Sequence, residues 1–247
     1  MIAVGHRAWL DMSRRARPLD IRSLRALSPM LILAPHQDDE TLGCGGLIAS
    51  ACALGLRPRV AFLTNGAASH PGSRAWPAGR LARTRRREAI AALAVLGVPS
   101  GDALFMDWPD AAPFGPEDPG FEEGVSGLGR WASSFDPRSL WATWRGEAHC
   151  DHLAAARVAA ALAPRLPSVV IRMEYLVWGW NEEGLADESV PLWSLECAST
   201  VAVRRRALAC HRTQTTGLIA DAPAAFRIPP ELAALTRRPV EVFLEAA

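Results

Sequence analysis

The stretch MLILAPHQDDETLGCGGLIASACALGL, residues 30–56, decides the fold of this 247-residue chain. It begins with five apolar residues, 30–34, which stop at Pro35 and are typical of a strand buried on both faces of a parallel sheet. A run of small and apolar residues, 41–56, comes soon afterwards and predicts a helix. A strand, a short polar cluster and a helix in this order indicate the first part of a βαβ unit.

Strand and helix patterns alternate along most of the remaining chain. Strands are predicted at 59–63, 103–106, 139–144, 169–177 and within 192–203, and helices at 83–96, 124–135, 152–163 and 204–210. Such alternation predicts parallel strands joined by right-handed crossovers, with helices on both faces of the sheet. We therefore expect an α/β fold, a Rossmann-like three-layer sandwich with a mainly parallel sheet.

We divide the chain into an N-terminal arm, 1–29, and a single α/β domain, 30–247. The arm is rich in Arg, and Trp9 and Leu10 could make a weak contact with an anionic membrane surface. A frayed or self-packed arm is the favoured interpretation, because chain termini are often loosely ordered. No stretch reaches the roughly 18–20 consecutive apolar residues of a membrane span, and we expect a cytoplasmic protein.

Composition excludes several classes of function. The 27 basic and 26 acidic residues leave a formal charge of +1, whereas nucleic-acid binding needs a concentrated basic face. All the basic residues are Arg, so the chain has neither a Schiff-base lysine nor a phosphate-loop lysine. The five cysteines are odd in number and form no C-x-x-C pair, which is typical of a reducing compartment.

Two clusters of ionisable residues follow predicted strands. HQDDE, residues 36–40, comes after the strand 30–34, and HCDH, residues 149–152, comes after the strand 139–144. Because α/β sheets bind ligands at the carboxyl ends of their strands, we expect the two clusters to meet. Three adjacent carboxyl groups behind a buried strand repel one another unless a cation or hydrogen bonds compensate them.

A divalent cation is the simplest compensation. Imidazole and carboxylate suit zinc, and catalytic zinc has three protein ligands and one open position. We assign His36, Asp39 and His152 as the ligands, with Fe²⁺ or another divalent ion as the alternative metal. This ligand set leaves a net positive charge, which lowers the pKa of a bound water toward about 7. Asp38 would act as the base while that water attacks an amide carbonyl.

The second cluster supplies the other catalytic groups. His149, held by Asp151, could stabilise the developing oxyanion and then protonate the leaving amine. The expected class is therefore an enzyme, a zinc-dependent amide hydrolase. Each cluster has a simpler interpretation, because carboxylates also cap helices and a histidine at a helix start often caps the helix or packs. As a separate possibility, the thiol of Cys150 could bind zinc or be oxidised. The glycines at 43–46 do not have the spacing of a dinucleotide loop, and we interpret them as allowing close helix packing.

The segments APHQDDETLGCGGLIA, residues 34–49, and HCDHLAAARVAAAL, residues 149–162, resemble the PIG-L/LmbE-like zinc-dependent de-N-acetylases. These enzymes remove acetyl groups from N-acetylglucosaminyl conjugates and related amides. The resemblance implies the same ligands, base and acid that we assign from the residues. Gln37 and Cys150 stand where the family commonly has Pro, and both are spacer positions.

The resemblance also implies residues that contact the substrate. One segment, LARTRRREAIAALAVLG, looks like a helix of the family and makes Arg85 a candidate for binding substrate hydroxyls. A second segment, MDWPDAAP, also looks like a family segment and makes Asp110 a candidate for the same role. The expected partner is a small amino-sugar conjugate, which loses an N-acetyl or other N-acyl group. Two alternatives remain open: an amidase on a thiol-sugar conjugate or N-acyl natural product, and a nonenzymatic metal- or nucleotide-binding module of the same fold.

Overall fold

The computed structural model describes residues 11–181 and 190–246, and their strands form one sheet of eight. The strands are β1 (Arg17–Pro18), β2 (Met30–Ala34), β3 (Arg59–Thr64), β4 (Ala103–Trp108), β5 (Ser139–Thr143), β6 (Ile171–Tyr175), β7 (Leu192–Glu196) and β8 (Val240–Ala246). Their order is β1-β7-β8-β6-β5-β2-β3-β4. Only β8 runs antiparallel to its described neighbours, β6 and β7.

Helices cover both faces of this sheet. They are α1 (Ile21–Ala26), α2 (Asp39–Ala53), α3 (Ala78–Leu96), α4 (Pro119–Ser133), α5 (Cys150–Leu162), α6 (Val201–Cys210), α7 (Arg212–Thr215) and α8 (Pro230–Ala233). Apolar side chains of α2, α3 and α6 pack in one core, whereas those of α4 and α5 pack in a second core. The predicted three-layer α/β sandwich with a mainly parallel sheet is confirmed.

Strand β2 shows why the sequence folds in this way. Met30, Ile32 and Ala34 belong to the core shared with α2, and the alternate residues Leu31 and Leu33 belong to the core shared with α5. All five are fully buried, because successive side chains of a strand point to opposite faces of the sheet. The uniformly apolar run is therefore the pattern of a central strand.

The order in which the chain adds strands to the sheet changes direction at β2. From β2 it passes to β3 and β4 on one side, and β5 then lies against the other side of β2. The carboxyl ends of β2 and β5 consequently flank a topological switch point, which is where doubly wound sheets bind ligands. The two ionisable clusters follow these two strands.

Close packing between helix α2 and the sheet depends on its glycines. A Cβ atom on Gly43 would lie 2.2 Å from the ring of Tyr175 in β6, and one on Gly46 would lie 2.8 Å from the carboxyl carbon of Glu241 in β8. The backbone N–H of Gly46 also donates to the Glu241 carboxylate over 2.6 Å. Gly43 and Gly46 therefore allow α2 to pack closely against β6 and β8.

Part of the predicted N-terminal arm, 1–29, packs on the domain. Within residues 11–29, β1 pairs with β7, and Met12, Leu19 and Leu24 are buried in the main core. Burial of these apolar side chains joins the segment to the domain. Trp9 and Leu10, and with them the suggested membrane contact, lie outside the described residues.

Several boundaries also differ. The later strand predicted at 192–203 is present as β7, but it ends at Glu196, and α6 begins at Val201 after a 3₁₀ turn. Helix α3 starts at Ala78, directly after Pro77, which is five residues earlier than predicted. Strand β8 was not predicted at all. Across the described ranges, no helix is both long and apolar enough to cross a membrane.

Candidate metal centre and active site

Three side chains predicted to bind a metal converge at the switch point. His36 and Asp39 follow β2, His152 lies in the first turn of α5, and their donor atoms all lie within 4.8 Å of one another. Asp39 Oδ2 is 3.1 Å from His36 Nδ1 and 3.4 Å from His152 Nε2. Donor atoms that each lie 2.0–2.2 Å from one tetrahedral zinc ion are themselves roughly 3.3–3.6 Å apart. The geometry therefore fits a divalent cation.

A buried orphan atom supports this fit. His152 is fully buried, and its Nε2 atom has no hydrogen-bond partner among the described residues. An unpaired buried ring nitrogen is costly in a protein interior, and a metal ion would satisfy it. The three donors comprise one carboxylate and two imidazoles, which is a donor set that zinc and iron accept.

Each histidine of this group contacts a carboxylate through its other ring nitrogen. His36 Nε2 lies 2.8 Å from Asp151 Oδ2, and His152 Nδ1 is hydrogen-bonded to Glu147 Oε2. A carboxylate accepts a hydrogen bond and so favours the proton of the neutral ring on this outer nitrogen, which would leave the lone pairs of His36 Nδ1 and His152 Nε2 for a metal ion. Carboxylates in such positions orient metal-binding histidines and increase their basicity.

Glu147 is a site residue that the sequence analysis missed. Its carboxylate is buried, and besides His152 it accepts the backbone N–H groups of Val177 over 2.6 Å and Gly179 over 3.0 Å. It therefore joins the end of β5 to the segment that follows β6. The available signal was an acidic residue in the loop before HCDH, at a position where a metal-binding histidine would need a partner.

Asp151 makes different contacts from those expected. Its Oδ2 atom accepts from His36 and also from the backbone N–H of Ala111, over 2.9 Å. The nearest approach to the ring of His149 is 3.9 Å, too long for a hydrogen bond, so the structure lacks the expected orienting contact. His149 Nδ1 accepts the backbone N–H of Asp151 over 3.3 Å instead and caps helix α5.

His149 nevertheless belongs to the site. Its ring centroid lies 5.0 Å from that of His36 and 5.2 Å from that of His152. Burial lowers the pKa of His149, and the neighbouring rings of His36 and His152 lower it further. Because Nδ1 accepts a backbone hydrogen bond, the neutral ring carries its proton on Nε2. Donor atoms of His36, His149 and Asp151 form a second group close enough to hold a metal.

Asp38 occupies an unusual backbone position at the start of α2. Its φ angle is 155°, and its carboxylate caps no helix N–H, so capping does not explain this residue. Asp38 Oδ2 lies 3.5 Å from Arg85 Nη2. Burial raises the pKa of Asp38 to about 6, although Arg85 opposes the shift. A carboxyl group with a pKa near neutrality is suited to act as a general base.

The neighbouring ligand carboxylate behaves in the opposite way. Burial alone would raise the pKa of Asp39, but without a bound cation the positively charged rings of His152 and His36 hold it well below its usual range. Two adjacent carboxyl groups therefore differ in proton affinity, because only Asp39 contacts both histidines. Such a difference separates a ligand from a base.

The two residues predicted to bind substrate also lie here, although protein groups already occupy much of their hydrogen-bonding capacity. Arg85 donates to the carbonyl oxygens of Gly66 over 3.1 Å and Gln37 over 3.3 Å. Asp110 Oδ2 accepts the backbone N–H of Ala68 over 2.7 Å, and its Oδ1 lies 3.4 Å from His36 Nε2. Both side chains line the cavity above the metal group.

This cavity has a volume of about 540 Å³, within the usual range for small-molecule sites. Its polar part holds His36, Asp38, Asp39, Arg85, Asp110 and His149. Its larger apolar side chains are Leu42, Val177, Trp178, Phe226, Ile228 and Leu232. Cys150 does not line it: the thiol lies 3.6 Å from the Ala111 carbonyl oxygen and 3.7 Å from Asp151 Oδ1. Within the described residues, no candidate metal group includes Cys150.

The fold and this site define an α/β protein with a His/Asp/His cation site and a neighbouring carboxylate at a sheet switch point. Residues 31–163, more than half of the chain, match the profile of the family described as PIG-L, GlcNAc-PI de-N-acetylase. The chain belongs to this family. No curated protein sequence is significantly similar to it.

Solved structures share the fold. The A40926 pseudoaglycone deacetylase Dbv21 is 19% identical with a TM-score of 0.65, over 89% of this chain and 97% of that chain. The zinc inhibited form of teicoplanin deacetylase Orf2 is 18% identical with a TM-score of 0.64, over 87% and 97%. N,N'-diacetylchitobiose deacetylase from Pyrococcus horikoshii is 18% identical with a TM-score of 0.61, over 87% and 81%. At these identities the likeness concerns the fold.

Proposed function

We propose that the protein is a metal-dependent hydrolase that removes an N-acetyl or other N-acyl group from an amino-sugar conjugate. The observation that carries this proposal is the convergence of the donor atoms of His36, Asp39 and His152 at the edge of the cavity, which His36 and Asp39 line together with Asp38. Family membership supports the amide as the bond and the amino-sugar conjugate as the substrate class. The names of the three similar structures agree with a deacetylation.

His36, Asp39 and His152 would hold the cation. When bound there, a divalent ion supplies Lewis-acid activation of water and of the amide carbonyl. We assign zinc as the metal and keep Fe²⁺ or another divalent ion as the alternative. One similar structure is described as a zinc inhibited form, so metal content and activity must be measured at defined stoichiometry.

Asp38 takes the proton from the attacking water in this proposal. Its carboxylate lines the cavity next to the ligand Asp39, and burial raises its pKa to about 6. Arg85 positions it, because the guanidinium contacts Asp38 Oδ2 and is itself fixed by the Gly66 and Gln37 carbonyl oxygens. Any contact of Arg85 with the substrate would come in addition to this role.

His149 donates a hydrogen bond from Nε2 to the carbonyl oxygen as negative charge develops there, and Asp38 then passes the proton it took from water to the leaving amine. The backbone hydrogen bond at Nδ1 places the proton on the ring nitrogen that this role requires. Asp151 acts on His36, which it contacts directly, and we propose it as a positioning residue for that ligand. Asp110 remains the proposed contact for sugar hydroxyls, since it lines the cavity beside His36.

Amine release from a panel of amides tests the proposal. The panel contains N-acetylhexosaminyl conjugates, a thiol-sugar conjugate and a minimal acetamide, each assayed with metal-loaded, chelated and metal-restored protein. We expect release from amino-sugar conjugates, loss on chelation and recovery with one equivalent of divalent ion. Release from the thiol-sugar conjugate alone would favour the alternative amidase. No release from any substrate by fully metal-loaded protein would support the nonenzymatic module.

A further inference from the structure

The apolar part of the cavity has no role in the chemistry described above. Trp178 follows β6, and Phe226 and Ile228 lie in the segment between α7 and α8. All three are partly exposed to the cavity, whereas Leu42 and Leu232 are buried behind it. We call Leu42, Val177, Trp178, Phe226, Ile228 and Leu232 the apolar wall. None of these side chains can satisfy a sugar hydroxyl except through the single indole N–H of Trp178.

Backbone hydrogen bonds to neighbouring segments hold the apolar wall in place. The Phe226 N–H donates to the Ser69 carbonyl oxygen over 2.8 Å, and the Ile228 N–H donates to the Gln214 carbonyl oxygen over 2.9 Å. The Val177 N–H donates to Glu147, the partner of His152. The rings of Trp178 and Phe226 pack with centroids 5.8 Å apart. The wall is thus a preformed surface continuous with the metal group.

The geometry of an amide decides which part of a substrate reaches this wall. A secondary amide is planar and trans, so its acyl substituent and its amine substituent point in opposite directions from the reacting carbonyl. The hydroxyl-bearing sugar on the amine side needs the polar part of the cavity, with Asp110 and Arg85, because unpaired hydroxyl groups are costly when buried. The acyl substituent then points away from that part.

We infer that the apolar wall is a subsite for the acyl chain of the substrate, and that this chain is aliphatic and longer than acetyl. The inference rests on the proposed amide hydrolysis and specifies its substrate class. Leu42 lies one helical turn after the ligand Asp39 and lines the cavity, so the subsite begins beside the metal group. An acetyl group would leave the partly exposed side chains of Trp178, Phe226 and Ile228 in contact with water.

Hydrophobic transfer gives the expected size of the effect. Full burial of one methylene group improves binding by about fourfold. Two added methylenes, from acetyl to butyryl, should therefore raise kcat/KM by between about fourfold and fifteenfold, the higher figure for complete burial. The gain should continue to hexanoyl and stop where the chain leaves the cavity.

The test uses methyl glycosides of glucosamine that carry acetyl, butyryl, hexanoyl or octanoyl on the same nitrogen. All four release the same amine, so one assay gives kcat/KM for the whole series with metal-loaded, full-length protein. Phe226→Ala shortens the apolar wall, and Phe135→Ala is the matched control, since Phe135 packs in the other core, against Trp131. We expect kcat/KM to increase steeply with acyl chain length in the wild type and in Phe135→Ala, and to stay constant along the series in Phe226→Ala.

Two results would overturn the inference while leaving the hydrolase intact. One is a kcat/KM that falls from acetyl to hexanoyl. The other is a flat acyl series together with a gain from replacing the methyl aglycone of the N-acetyl compound by octyl, which would place the aglycone on the wall.

A binding measurement separates failure of this inference from failure of the proposed function. If no substrate is turned over, calorimetric titration of the N-acetyl and N-hexanoyl compounds into the same protein still tests whether the apolar wall binds the acyl chain. Binding of N-hexanoyl at least tenfold tighter than N-acetyl, lost in Phe226→Ala, supports the subsite without any hydrolysis. Equal binding of the two compounds contradicts it.

Discussion

Replacing Glu147 by Gln should weaken metal binding although Glu147 is not itself a ligand. The carboxylate accepts three hydrogen bonds, from His152 Nδ1 and from the N–H groups of Val177 and Gly179. Gln has nearly the same shape but only one acceptor oxygen. If that oxygen serves the two backbone donors, the amide NH₂ faces His152 and demands a lone pair on Nδ1. The neutral ring then carries its proton on Nε2, the atom required by the metal.

The size of the expected loss in metal affinity follows from this change of tautomer and from the lost charge. Removal of a carboxylate that orients a metal-binding histidine typically lowers metal affinity by about 10–100-fold, and we expect a loss in this range. The metal-free protein should lose roughly 1–3 kcal/mol in its free energy of unfolding, since a buried charged hydrogen bond is replaced. The two effects are separable because the second is measured in excess chelator.

Competition with a chromophoric chelator at neutral pH measures the dissociation constant of the zinc complex. The matched control is Glu174→Gln, which changes another buried carboxylate, in β6, whose partner is Arg145 and not a metal-binding histidine. We expect unchanged zinc affinity in that control. A Glu147→Gln protein that is folded and binds zinc within twofold of the wild type would refute the assigned role of Glu147.

Further predictions concern the division of labour at the site and the packing beneath it. Asp38→Asn should keep its metal but lose at least about a hundredfold in kcat, whereas Asp39→Asn should lose metal. Metal analysis and amine release measure the two effects. If Asp38→Asn lost the metal and Asp39→Asn lost only kcat, Asp39 would be the base and Asp38 the ligand. Gly43→Ala should lower the free energy of unfolding, because overpacking against Tyr175 at 2.2 Å costs roughly 1–3 kcal/mol or more, against about 1 kcal/mol gained in helix propensity. Gly101→Ala, with no atom within 4 Å of the new Cβ, should change stability by less than about 0.5 kcal/mol in the same denaturant titration, and equal losses in both variants would contradict the packing argument.

The central strands could be predicted from the sequence because each is decided by local pattern. The run 30–34 is apolar at every position, and a strand buried on both faces needs this composition. Strand β8 escaped prediction because it follows a segment rich in Pro and lies antiparallel between β6 and β7. Its position depends on tertiary pairing, which is weakly encoded in local propensity.

The candidate site could also be predicted only in part from the sequence. His36, Asp39 and His152 could be predicted to meet because the carboxyl ends of neighbouring parallel strands form one edge. The partner of Asp151 could not, since residues two apart at a helix start do not face each other, and its carboxylate reaches His36 across the sheet edge instead. Glu147 was missed because an acidic residue before HCDH does not reveal its partners, which come from α5 and from the segment after β6.

The proposed account depends most directly on one ion at His36, Asp39 and His152 that supports amide hydrolysis with Asp38 as base. The decisive measurement is the rate of amine release from an N-acylglucosaminyl conjugate as metal-free protein is titrated with zinc or Fe²⁺. We expect the rate to rise in proportion to bound metal and reach its plateau at one equivalent, while Asp38→Asn binds the same equivalent and remains nearly inactive. Turnover by fully metal-free protein, or a plateau unrelated to occupancy of this site, would contradict the account.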